Sequence, residues 1–250
     1  MCLYDMFYDV FLIHIYDYNR PYQISGLQLN KQMECVYLHA PHVCSNNNVY
    51  PGLQVFSDGP FYSWADNSKS LEAQEDQWNE SLEYIAQYCK ANGPFDGVYG
   101  FSQGAAIITN FSHPKIWRDR FKMKEFPWKS VILACSGAPH HITISKNDQP
   151  ISMPSFHIFG KKDRHLVNSK IISQYWSQSQ IVTHTHDRGH EIDMQMHTRE
   201  KEMILKLNDF LEEHCPSDDG VFDSIRKSIA KLPTPQFMLG GYEFGGSTTK

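Results

Sequence analysis

The stretch from Phe95 to Ile107, FDGVYGFSQGAAI, constrains the fold more than any other part of the chain. Val98, Tyr99 and Phe101 are strand formers, while Ala105 to Asn110 carries neither Pro nor Gly and reads as a helix. Between them stands Gly100-Phe101-Ser102-Gln103-Gly104, the G-x-S-x-G spacing of a sharp strand-to-helix turn. Such a turn strains the backbone of its central serine, and glycines on either side let strand and helix approach. The Ser102 hydroxyl then lies at the positive end of a helix dipole, and the amide of Gln103 can face a developing oxyanion. Ser102 is the candidate nucleophile, and the Gln103 N–H a candidate oxyanion donor.

The rest of the chain supplies a matching frame. Short apolar runs at Val10–Tyr16, Glu34–Leu38, Gly97–Phe101, Ser130–Cys135, Ser155–Phe159 and Gln180–Thr185 read as buried strands. Amphipathic helical patterns lie between many of them. Trp78, Leu82, Ile85, Ala86 and Cys89 share one helical face, closed by Asn92-Gly93-Pro94. Met203, Ile204, Leu207, Phe210 and Leu211 share another. Continuous apolar strands alternating with such helices predict a mostly parallel central sheet with helices on both faces. The 250 residues suffice for one such domain over residues 1–215, followed by a tail at 216–250. In that tail Phe222, Ile225 and Ile229 suit a short amphipathic helix, and the Gly-rich end reads as partly disordered. Residues 45–70 read as a long loop, and residues 112–129, which lack a clear period, as a wall of the site entrance.

Composition narrows the partners. A net charge of -5 without a long basic run argues against nucleic acid. The six cysteines form no C-x-x-C pair, which argues against a zinc ribbon or a redox dithiol. The apolar N-terminus is interrupted by Asp5 and Asp9 and lacks a positive leader, so neither an export signal nor a membrane span is expected. Free thiols without an export signal point to the cytosol.

A serine nucleophile needs a base and an acid, in the chain order serine, acid, histidine for this architecture. Asp163 follows the strand of SFHIFGKKDRHLV, and His190 follows the strand of IVTHTHDRGHEI. Both loops open at the carboxyl ends of strands, where ligands bind in parallel sheets. Asp187 and Asp193 are rival acids, disfavoured by their closeness to His190 in sequence.

With these residues placed, the chain resembles the FSH serine hydrolases, a branch of the α/β-hydrolase superfamily. The stretches CVYLHAPH, GPFDGVYGFSQGAAI, VILACSGAP, MPSFHIFGKKD and THDRGHEI carry the resemblance, over roughly residues 34–192. It implies an α/β-hydrolase fold, a Ser102-Asp163-His190 triad, no cofactor or metal, and esterase chemistry on a small-molecule carboxylic ester. The first thirty or so residues diverge. In FLIHIYDYN, Ile15 and Asp17 stand where that family carries glycines of the loop supplying a second oxyanion amide, expected here from Tyr16. Ile15 resists positive φ, and Asp17 brings negative charge.

Two other readings compete. His184 and His186 point to one face of a strand and with His190 could chelate a metal, giving a metal-dependent hydrolase. A chain that keeps the triad but lacks the oxyanion loop would be a catalytically impaired binding protein. Phe61, Tyr62 and Trp64 are candidates for an apolar pocket.

Overall fold

The computed structural model describes residues 10–14, 22–31, 33–44, 61–138, 143–145, 147–215 and 221–231. Six strands form one sheet in the order β2-β1-β5-β6-β7-β8. These are β1 (Val10–His14), β2 (Glu34–Leu38), β5 (Phe95–Phe101), β6 (Trp128–Ala134), β7 (Ser155–Gly160) and β8 (Ile181–His186). A two-stranded ribbon joins β3 (His42–Val43) to β4 (Tyr62–Ser63). From β5 to β8 all pairs are parallel, as the alternation of apolar runs and helices predicts.

Side-chain alternation splits the core into two layers. Val98, Val131 and Leu133 face one side, under helices α2 (Leu71–Asn92), α3 (Gln103–Ser112) and α4 (Leu166–Ser173). Tyr99, Phe101, Ile132, Ala134, Phe156 and Ile158 face the other. That face is covered by α1 (Tyr22–Gly26), α5 (Met196–Arg199), α6 (Lys201–His214) and α7 (Val221–Ala230). The expected helix faces are the buried ones: Trp78, Leu82, Ile85, Ala86 and Cys89 on α2, and Met203, Ile204, Leu207, Phe210 and Leu211 on α6. Burying each large apolar side chain is worth about 1.5–3 kcal/mol. Ser70 caps α2 by accepting the Ala73 N–H. Phe222, Ile225 and Ile229 of α7 are buried in the same layer as α6.

One strand departs from expectation. β1 is antiparallel to both neighbours, with Val10 opposite Gly100 of β5 and Ile13 opposite Gly97. Its carboxyl end, at His14, therefore lies at the amino end of β5, away from Ser102. β2, antiparallel to β1, runs in the same direction as β5, so His39 follows it at the serine's end of the sheet.

The segment at 112–129 also differs from its expected role. Lys115–Arg120 is a π-helical turn, and it follows the far end of α3. Ten residues of α3 separate this segment from Ser102, about 15 Å of rise. Ile116, Phe121 and Trp128 are buried there in the core, so the segment is not a wall of the site.

Candidate functional site

The site is assembled at the carboxyl ends of β5 to β8. Ser102 sits between β5 and α3 with φ 53° and ψ -117°, a strained conformation for a residue with a Cβ. Its neighbours hold it there. Its N–H donates to Ala134 O at 3.0 Å, and its carbonyl accepts from Gly137 N–H at 2.8 Å. Gly100 is needed on the strand side: a Cβ there would lie 2.5 Å from Ile108 Cδ1 and 2.9 Å from the Ala105 nitrogen.

Asp163 follows β7 and His190 follows β8. The two loops are stitched together by Lys161 N–H to His186 O and Lys162 N–H to Arg188 O, both 2.8 Å. His190 Nδ1 lies 2.9 Å from Asp163 Oδ2, and Nε2 lies 2.9 Å from Ser102 Oγ. A carboxylate only accepts, so Nδ1 carries the proton and Nε2 is left to accept from the serine hydroxyl. The second Asp163 oxygen accepts from His165 N–H at 2.7 Å. Burial pushes the Asp163 carboxyl up, but the hydrogen bonds from His190 and His165 outweigh it and hold it below the usual carboxylate range. The His190 ring is flanked by Phe101 and by His165, each with ring centroids 4.9 Å away.

The rival acids are engaged elsewhere. Asp187 is exposed and pairs with Lys161 at 3.0 Å. Asp193 pairs with Arg199 at 2.8 Å and Arg188 at 3.3 Å.

The three histidines of the metal reading do not converge. His184 Nε2 faces Glu200 at 3.3 Å, His186 Nε2 faces Cys135 Sγ at 3.9 Å, and His190 is committed as described. Among the described residues, the grouping whose ligand atoms lie within 4.8 Å of one another is Cys135, Asp163 and His190. Cys135 is the one thiol of this group. It is fully buried, and burial together with the Asp163 charge pushes its thiol well above the usual range.

Gln103 contributes more than its backbone. Its side-chain Oε1 accepts from Trp64 N–H at 2.8 Å and Ala65 N–H at 3.4 Å, while Nε2 donates to Ala65 O at 2.8 Å. Residues 64–65 are thereby fixed beside the elbow. Trp64 is itself fully buried in the core, Phe61 is buried and Tyr62 is exposed, so core packing explains Trp64. Tyr16 lies outside the described residues. The strand that leads toward it ends at the opposite side of the sheet from Ser102.

Sequence reasoning missed Cys135 and His165. Each stands one or two residues past a strand end or a site residue, in ACSG and KKDRHL, and that position was the available signal.

Comparison with known proteins gives the family. The family described as Serine hydrolase (FSH1) matches residues 22–201. Esterase FUS5 of Gibberella moniliformis is 29% identical over 168 residues, 64% of this chain and 66% of that protein. Esterase OVCA2 of Homo sapiens is 34% identical over 116 residues, 45% of this chain and 49% of that protein. Hydrolase phiM of a fungal species is 26% identical over 149 residues, 56% of this chain and 67% of that protein. The matches thus span half to two thirds of these relatives' lengths. Among the described residues no helix is long and apolar enough to cross a membrane. With the matched region covering the whole run from α1 through His190, the chain belongs to the FSH1 serine hydrolase family.

Proposed function

We propose that the chain hydrolyses small-molecule carboxylic esters through an acyl-enzyme, with Ser102 as nucleophile, His190 as general base and acid, and Asp163 as the orienting acid. The observation that carries this reading is the His190 imidazole, bonded at 2.9 Å to Asp163 on one side and to Ser102 on the other. As Ser102 Oγ attacks the ester carbonyl carbon, its proton passes to His190 Nε2. The ionised Asp163 stabilises the imidazolium. The carbonyl oxygen becomes an oxyanion facing the Gln103 N–H in the first turn of α3. Collapse breaks the C–O bond of the ester, and the alcohol leaves with the proton from His190. Water, deprotonated by His190, then attacks the acyl carbon; the bond to Ser102 Oγ breaks, the carboxylic acid leaves, and His190 returns the proton to the serine oxygen.

A second reading, an impaired hydrolase that binds more than it turns over, is favoured by the direction of β1. That strand ends, at His14, on the opposite side of the sheet from Ser102, where a second oxyanion donor is needed. Loss of one such donor costs about a hundred- to a thousand-fold in rate. A fluorophosphonate probe with an ester hydrolysis assay separates the readings. The hydrolase reading expects Ser102-dependent labelling and ester turnover, both lost in Ser102→Ala. Labelling without turnover favours the binding protein. Full hydrolysis by Ser102→Ala overturns both.

A further inference from the structure

The cluster of polar groups that begins at Ser102 does not end at Asp163. Cys135 stands directly after β6 with φ 47°, a left-handed conformation that a residue with a Cβ adopts at a cost. Its sulfur lies with the Asp163 carboxylate and the His190 imidazole inside 4.8 Å. Behind it lies His186, itself buried.

The proton positions follow from donor chemistry. Arg188 N–H approaches His186 Nδ1 at 3.3 Å, and a backbone nitrogen can only donate, so Nδ1 accepts. Burial drives the His186 imidazole down to about 4, with smaller opposing influences from His184 and Arg188 on one side and Glu191 and Asp163 on the other. His186 is therefore neutral near pH 7 and carries its proton on Nε2, which faces Cys135 Sγ at 3.9 Å. The sulfur thus accepts from His186. Its own S–H is left to the anionic neighbour, Asp163, and burial keeps the thiol protonated.

We propose that Cys135 and His186 form a second hydrogen-bonded tier behind Asp163, in which the Cys135 thiol donates to the carboxylate and so sets the basicity of His190. Cys135 is a positioning residue, not a catalytic one. The inference rests on the reading of Ser102, His190 and Asp163 given above. A carboxylate that shares its charge with three donors holds an imidazolium less tightly than one with two. Removing the thiol donor concentrates charge on Asp163 and raises the proton affinity of His190. The other groups around that ring are Phe101, which does not titrate, and His165. Burial, together with His190 and Arg164, holds His165 below the usual histidine value.

The test is the acid limb of kcat/KM in wild type, Cys135→Ala, Cys135→Ser and His186→Gln, with Ser102→Ala alongside. Losing one hydrogen bond of ordinary strength corresponds to about 0.4–1 pH unit. Cys135→Ala moves the limb up by that amount, and Cys135→Ser, which keeps a donor, returns it to the wild-type position. His186→Gln moves it by less in the same direction, and carries the test alone if Cys135→Ala does not fold. A limb that stays put in Cys135→Ala, or in His186→Gln where that variant stands alone, overturns the tier and leaves Cys135 a packing residue. Failure of the underlying triad looks different: Ser102→Ala then retains hydrolysis, whatever the Cys135 variants do.

Discussion

Gly160 and Gly189 meet with no space for a side chain between them. A Cβ on Gly160 would overlap the Gly189 carbonyl oxygen and lie 3.0 Å from Arg188 O and 3.1 Å from Asp163 Cβ. The obstacles include backbone, so no rotamer change relieves them. This close approach is what brings the loop after β8 against the loop after β7, and so sets the His190–Asp163 distance.

Gly160→Ala should therefore separate the two loops. A misplacement near 1 Å costs on the order of a hundred-fold in rate, and overpacking costs about 1–3 kcal/mol in stability. Steady-state ester kinetics and thermal unfolding on the same preparation check both. Unchanged kcat/KM in a folded Gly160→Ala protein would show that the loop contact does not govern the site.

Asp163→Asn and Asp187→Asn should behave oppositely. The first leaves an amide that can present an N–H to Nδ1, favouring the wrong tautomer, and a change of this kind in a serine protease triad costs about ten thousand-fold in kcat. The second removes only an exposed pair with Lys161, and exposed pairs contribute about 0–1 kcal/mol. Equal losses in the two variants would reassign the acid.

Gln103→Leu should leave the backbone donor in place but remove the hydrogen bonds that the amide makes to Trp64 N–H, Ala65 N–H and Ala65 O. Leaving a buried backbone group unpaired costs about 1–3 kcal/mol. The expected result is a marked fall in melting temperature. Loss of ester turnover with the melting temperature unchanged would mean that the side chain acts on substrate instead.

Legibility in the sequence followed the physics of each feature. The serine turn was readable because strand formers, flanking glycines and a helix all lie within thirteen residues. Asp163 stands in a loop after β7, which is buried throughout as its apolar run suggests, whereas His190 follows β8, an edge strand that is exposed or half-buried up to Thr185 rather than the buried one expected. The direction of β1 was not readable: VFLIH is an apolar run that looks the same from either end, and period-two burial carries no polarity. Residues 112–129 showed no period because the π-helical turn, with Phe121 N–H bonded to Ile116 O, slips out of the 3.6-residue repeat. Trp64 could not be assigned between pocket and core, since either environment selects an aromatic ring. Cys135 and His165 became visible only when separate strand ends converged.

Two histidines should make the fold sensitive to mild acid. His157 is fully buried in β7, bonds Ser155 Oγ through Nε2 at 3.1 Å, and has no partner for Nδ1 among the described residues. Burial pushes it down to about 3, and pushes His186 down to about 4. In the unfolded chain both return to about 6.5. Between those values the unfolded state binds more protons than the folded one, so stability rises with pH across the window and is lost as pH falls below about 6.5. Each group contributes up to about 1.36 kcal/mol per pH unit, or roughly 2.7 kcal/mol per histidine between pH 6.5 and 4.5. Asp163, held below the usual carboxylate range, contributes in the same direction only at lower pH. His157→Phe keeps an aromatic ring beside Trp176, whose ring centroid lies 5.7 Å away, and removes the titrating group. Denaturant unfolding at pH 6.5 and 4.5 should show a smaller acid loss in this variant than in wild type, the remainder coming from His186 and from His113 and His165, which burial also lowers. An identical loss in both proteins would mean that His157 gains a proton in the folded state as readily as in the unfolded one, and that its burial does not drive the acid sensitivity.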